Sequence, residues 1–238
     1  MAAGKTSPAE RTARVDRRGE ARLPAVIAVL VAIALQTTLP NRLLLGPRLA
    51  LPALELLLLV PLVAVNPMRM TRQTRWSRVT ALALVLLIAA TNTVVLGLLV
   101  KALVDGKDTS GKQLLLAALQ VWLTNVIAYG LVYWELDRGG PVPRTQRPRE
   151  QLQKADFRFP QDEDHDTVVE VAKGSSAKSD WVPTLVDYLY VSVTNSSAFS
   201  PTDTMPLASR TKALMALQST SALVLSLLVI SRAVSVLK

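Results

Sequence analysis

Residues 79–104 read VTALALVLLIAATNTVVLGLLVKALV, and this stretch decides the fold. It holds a single charge, Lys101. An α-helix of that length rises about 39 Å, more than the ~30 Å hydrocarbon core of a bilayer, so it spans with tilt. Thr91-Asn92-Thr93 interrupts the run midway. A helix bundle absorbs such a patch through hydrogen bonds to a neighbouring helix, each contributing about 1 kcal/mol.

Working outward, the same texture recurs on both sides. Leu23 to Leu39 is an apolar block near the minimum length for a crossing, and Leu49 to Val65 is a Leu-rich block with Pro52, Pro61 and one acid, Glu55. Downstream, an apolar run from Gln113 ends in Tyr133-Trp134, aromatics typical of a membrane–water boundary. The last block, Ala213 to Val236, carries no charge before Arg232. Half of the 238 residues are hydrophobic and 19% are charged, with most of the charges in the gaps between blocks.

These blocks predict an all-α chain, a polytopic transmembrane helical bundle of five spans. One segment resists counting: Trp181 to Phe199 is apolar but contains Asp187, Asn195 and several hydroxyls, and Ser200-Pro201-Thr202-Asp203 follows as a stop and turn. It reads as one short re-entrant or embedded helix, with Leu185, Tyr188, Leu189 and Ser192 on one face. The expected organisation is a disordered basic cytoplasmic N-terminus over 1–22, a four-span region over 23–136, a polar connecting loop over 137–180, and the embedded helix, turn and last span over 181–238. Cations cluster in the N-terminus and at Arg69, Arg72, Arg75 and Arg78, which places those segments and the 137–180 connection in the cytoplasm.

Composition excludes much chemistry. Cysteine is absent and His165 is the one histidine, so thiolate sites, multi-His metal sites and a Ser-His-Asp triad are not expected. No cofactor, no metal and no enzymatic activity are expected. The acidic run Asp162 to Asp166 lacks the spacing and Gly of a Ca²⁺ loop and reads as solvated. The net charge of +9 sits beside the apolar blocks, which points to a lipid bilayer with anionic headgroups as the partner and not to nucleic acid.

The strings Tyr133-Trp134-Glu135-Leu136-Asp137-Arg138-Gly139-Gly140-Pro141, Asp187-Tyr188-Leu189-Tyr190 and Thr194-Asn195-Ser196-Ser197-Ala198-Phe199-Ser200-Pro201-Thr202-Asp203-Thr204-Met205-Pro206-Leu207 resemble a family of uncharacterised bacterial polytopic membrane proteins. The resemblance covers roughly residues 80–238. It implies a multi-pass protein of the bacterial plasma membrane and supplies an architecture without chemistry. The layout of the C-terminal third also resembles that of pore-loop ion channels: outer helix, long polar connection, short helix, polar turn, inner helix. That likeness implies an oligomeric ion or small-solute channel, with Asp187, Asn195, Ser196, Ser197, Ser200, Thr202 and Asp203 at the constriction. Potassium-type selectivity is not expected, because Ala198-Phe199-Ser200-Pro201 has no glycine to turn carbonyls inward. The cation pattern also puts the long connection on the opposite side from a channel's.

The alternative is a non-conducting membrane scaffold or sensor in which the same polar residues lock helices together. Each candidate has two readings. Glu55 is a proton or cation site, or pairs with Arg48 near its helix end. Asp187 lines a cavity, or caps the first turn of its helix. Asn92, Asn125 and Asn195 hold helices together or serve transport, and Glu135, Asp137 and Arg138 form a fixed ion-pair cluster with Asp203 or Arg210, or an ordinary helix end.

Overall fold

The computed structural model describes residues 18–105, 111–163, 168–198 and 203–236. The chain is built from helices: α1 Leu23–Thr37, α2 Ala50–Val65, α3 Arg75–Asp105, α4 Gly111–Leu136, α5 Pro141–Gln146, α6 Val169–Ala172, α7 Ser176–Ser179, α8 Leu185–Ser197 and α9 Ser209–Val236. Three regions are long and apolar enough to cross a membrane by length and composition: Arg75–Val104, Lys112–Gly139 and Ser209–Ile230. The helices α1 and α2 are apolar but shorter, 15 and 16 residues or about 22 and 24 Å.

Helix starts follow local chemistry. At the head of α3, Ser77 N–H donates to Thr74 Oγ1 at 3.1 Å, and Thr74 N–H donates to Ser77 Oγ at 2.9 Å. Before it, Asn66 accepts from the Thr71 and Arg72 amides and donates to the Arg72 carbonyl, which holds the α2–α3 turn closed. Asp187 closes a capping box at the start of α8.

α4 is the central helix and packs against α1, α3, α8 and α9. Gly130 lets α8 approach it closely: a Cβ there would stand 2.7 Å from Leu189 Cδ2. Two apolar clusters fill the bundle. One contains Ile33, Leu59, Ile88, Leu131, Tyr133 and Met215, the other Leu39, Leu99, Leu103, Leu114 and Leu225. Between them in chain position lie buried polar residues, Gln36, Glu55, Asn92, Asn125 and Gln218. The outward faces are apolar, with Ile27, Leu30, Leu57, Val60, Leu86, Leu119, Leu227 and Ile230 exposed. A belt of that kind calls for lipid or a partner to cover it.

Two expectations about the polar segments change. Residues 18–22 were expected to belong to a disordered arm, but Glu20–Ala21 forms β1, antiparallel to β2, Arg69–Met70. Glu20 is drawn in by donors from three other elements, described below. Residues 1–17 lie outside the described residues. The 137–180 connection, expected as a polar loop, carries α5, α6, α7 and β3, Phe157–Arg158, which pairs with β4, Met205–Pro206. Its order comes from aromatic packing: Phe157 meets Tyr133 and Tyr188, and Phe159 meets Tyr188 and Trp181, all edge-on with centroids 5.2–6.0 Å apart.

Candidate functional site

The end of α4 carries Glu135, Asp137 and Arg138, and the chain then turns at Arg138, Gly139 and Gly140, all with positive φ. A side chain at Gly140 would collide with the Arg78 guanidinium, so this turn needs glycine for space as well as for backbone angle. The turn directs Asp137 inward, where it is fully buried.

Asp137 is the centre of the cluster. Its Oδ1 accepts the Asp156 amide at 2.7 Å and, more weakly, the Phe157 amide at 3.4 Å; its Oδ2 accepts the Tyr188 hydroxyl at 2.5 Å and Arg138 Nη1 at 3.2 Å. Arg138 also reaches Asp162 at 2.5 Å, and Asp162 in turn accepts from Ser176 and the Phe159 amide. Asp156 accepts two bonds from Arg210, at 2.8 and 2.6 Å, and one from Thr211. The two-pronged Arg210 pair ties the head of α9 to β3.

On the other side of the same helix end, Arg78 donates to both the carboxylate and the carbonyl of Glu135. Glu20 accepts from Trp134 Nε1 and from the Leu185 amide at 2.8 Å, with Arg144 Nη2 3.4 Å away. Arg144 is buried, donates to the Trp134 and Asp137 carbonyls at 3.1 Å, and lies over the Tyr188 ring at 4.9 Å. Burial lowers the Arg22 pKa from the ordinary arginine value, and the Glu135 carboxylate opposes that shift. The expected ion-pair cluster at Glu135, Asp137 and Arg138 is therefore present. Of the expected partners, Arg210 joins the cluster through Asp156, whose amide Asp137 holds, while Glu135 takes Arg78. Asp203 is exposed and starts the segment leading to β4.

A second polar centre lies where α4, α8 and α9 meet. Gln218 of α9 is fully buried. Its Oε1 accepts from the Tyr133 hydroxyl at 2.7 Å and from Asn195 Nδ2 at 2.9 Å; its Nε2 donates to Ser192 Oγ at 2.6 Å, the Ser192 carbonyl at 3.1 Å and Ser196 Oγ at 2.8 Å. Ser192 Oγ donates onward to the Val126 carbonyl, and Asn195 accepts from Ser219. Two of the expected constriction residues, Asn195 and Ser196, thus point into the α8–α9 interface.

Among the described residues, the remaining constriction candidates are not brought together there. Asp187 accepts from the Thr184 amide at 2.7 Å and the Thr184 hydroxyl at 2.9 Å, which is the capping reading. Ser197 is exposed and donates to the Val193 carbonyl of its own helix. Ser200 and Thr202 lie outside the described residues. Glu55 is buried, and the expected alternative, pairing with Arg48, is not what forms. Arg48 instead caps α1, donating to the Thr37 and Leu39 carbonyls and to Asn41 Oδ1.

No family model, curated protein or solved structure matches this chain. What the site does must be argued from its own chemistry. No cluster of three or more potential metal-ligating side chains occurs among the described residues. The arrangement at the α4 end is mainly one of paired charges, suited to holding β1, α3, α5, the β3 stretch, α8 and α9 in fixed relation to α4. Sequence reasoning missed Glu20, Arg78, Arg144, Asp156 and Gln218. Only Gln218 carried a visible signal, as a lone amide within the apolar run of α9.

Proposed function

We propose that the protein is a non-conducting multi-pass membrane scaffold, with α1, α2, α3, α4 and α9 as five spans and α8 embedded against α4 and α9. Supporting the five spans is the apolar outward surface shared by α1 and α2 with the longer helices. The short helices cross if the bilayer thins locally or their flanking turns extend them, each at modest cost. In this reading the plasma membrane of a bacterium surrounds the bundle. Exposed Arg69, Arg72, Arg75 and Arg147 lie on the cytoplasmic side, facing anionic headgroups.

The observation that carries the scaffold reading is the Gln218 centre. Asn195 and Ser196, which a channel would turn toward an aqueous path, spend their hydrogen bonds on α9. Buried polar networks with every member paired rigidify a core and specify one arrangement. The cap beyond them, joined by ion pairs at Asp137, Asp156 and Glu135, presents a fixed cytoplasmic face.

Reconstitution into liposomes tests this. The full chain should pass Na⁺, K⁺ and Cl⁻ no faster than empty vesicles under imposed gradients. Flux above that background which Asn195→Leu abolishes would overturn the scaffold reading and restore the oligomeric channel.

A further inference from the structure

We propose that Glu55 and Gln36 form an intramembrane site for a small monovalent cation, an alkali-metal ion or a proton, reached from the α1–α2 connection. The proposal goes beyond the scaffold reading and does not depend on it.

Glu55 has no measurable exposure, and neither carboxylate oxygen has a hydrogen-bond partner. Gln36 of α1 is the polar side chain that faces it across the α1–α2 interface. Gln36 is itself 6% exposed, and both its amide nitrogen and its amide oxygen are unpartnered. Gln36 comes close enough to act on Glu55 as a hydrogen-bonding neighbour, yet none of the four polar atoms is paired within ordinary hydrogen-bond geometry. Elsewhere in this bundle the buried carboxylates Asp137 and Asp156 are saturated with donors. Native interiors rarely leave such groups unsatisfied, and an exception points to a ligand or a functional role.

The charge balance gives the class of ligand. An isolated carboxylate in an apolar interior either takes up a proton or needs a positive partner. α1 and α2 supply none, since Glu55 is their one charged residue. On α3 the charged positions, Arg75, Arg78, Lys101 and Asp105, sit near its two ends, and Arg78 is committed to Glu135. Arg48, the nearest cation in sequence, is committed to the C-terminus of α1. A bound cation completes the site: carboxylate oxygens and the Gln36 carbonyl are hard oxygen ligands for an alkali-metal ion. With a proton instead, the acid O–H donates to the Gln36 carbonyl while the Gln36 amide donates back.

The proposed route starts at a cavity that Glu55 and Gln36 do not themselves line. A cavity of about 370 Å³ opens beside the α1–α2 connection, lined by Arg48, Leu51 and Thr91 among others. Leu51 is one helical turn before Glu55 on α2, and Thr91 adjoins buried Asn92. Toward the opposite end, Ile33, Leu59 and Ile88 close the interior.

The test is thermal unfolding of the full chain in nanodiscs. One series compares LiCl, NaCl and KCl with choline chloride at equal ionic strength; another lowers the pH in choline chloride. In the wild type at least one alkali cation, or acid alone, should raise Tm by about 5 °C. Glu55→Gln should abolish that response, Gln36→Leu should weaken it, and Glu55→Asp should retain part of it. A response to the alkali series assigns a metal ion, and a response to acid alone assigns the proton. A merely structural Glu55 would shift the baseline Tm and leave the cation dependence intact. The proposal is overturned if Glu55→Gln tracks the wild type in every arm, including the case in which neither responds. Should Glu55→Gln fail to fold, equal cation responses from Gln36→Leu and the wild type overturn it.

Discussion

Replacing Asp137 by alanine removes the acceptor on which three segments converge. The Tyr188 hydroxyl at 2.5 Å and the Asp156 amide at 2.7 Å lose their partner, and the buried end of Arg138 loses one of two carboxylates. Hydrogen bonds to a charged group contribute about 1.5–3 kcal/mol each. Removing one member of a buried ion pair costs about 3–5 kcal/mol. Arg138 keeps Asp162 at 2.5 Å, which moderates the second contribution. The amide and hydroxyl contributions are not additive with it, because all share one oxygen pair. Asp137→Ala should therefore destabilise the fold by about 3–5 kcal/mol. Asp137→Asn keeps the shape and one acceptor oxygen for the Asp156 amide and should cost less, about 1–2 kcal/mol. Trp134 and Trp181 flank the cluster, so denaturant titration of detergent-solubilised protein followed by tryptophan fluorescence reads both. Raising salt should leave the difference between the variants nearly unchanged, because the pairs are buried and screened little. A cost below about 1 kcal/mol for Asp137→Ala, or equal costs for the two variants, would refute the assignment of Asp137 as the hub.

Two further perturbations address the helix interfaces. Gln218→Leu leaves the Tyr133 hydroxyl without its acceptor and the Ser196 hydroxyl without its donor; the same titration should show a loss of about 2–3 kcal/mol, larger than that for Asn195→Ala, which keeps Gln218 bonded to Ser192. Gly130→Val places side-chain atoms where Leu189 packs and should cost about 1–3 kcal/mol by overpacking, while Gly130→Val combined with Leu189→Ala should recover part of that loss.

Much of the helical framework was legible because it rests on a local property. A long, mainly apolar run such as 79–104 makes a helix whatever surrounds it, and the structure has α3 over Arg75–Asp105. The cluster was half legible for the same reason. Glu135, Asp137 and Arg138 stand out beside Gly139-Gly140 at the end of an apolar run, so a helix end with trapped charge could be read directly. Their partners could not, since Glu20, Arg78 and Asp156 lie 115, 57 and 19 residues from the cluster members they neighbour or bind. Which arginine meets which acid is decided by the packing of α3 and α9 on α4, and no spacing in the chain encodes it. Asn195 and Ser196 were misplaced by the same limit. Their positions on α8 were correct, but without Gln218 opposite them the face could be read equally as lining water or as binding a helix.

Degree of satisfaction separates the polar residues that secure this fold from those that remain available for chemistry. The Asp137 carboxylate and the Gln218 amide are themselves fully bonded, so a ligand at either side chain would displace a bond already made. A fold secured at those two places can tolerate a third where the groups do not match. Glu55 and Gln36 are such a place: they lie on the short helices α1 and α2, with four polar atoms unpartnered. The cost of burying them is sustained by ion pairs and aromatic packing elsewhere, and such a cost is retained when the group it leaves open has something to bind.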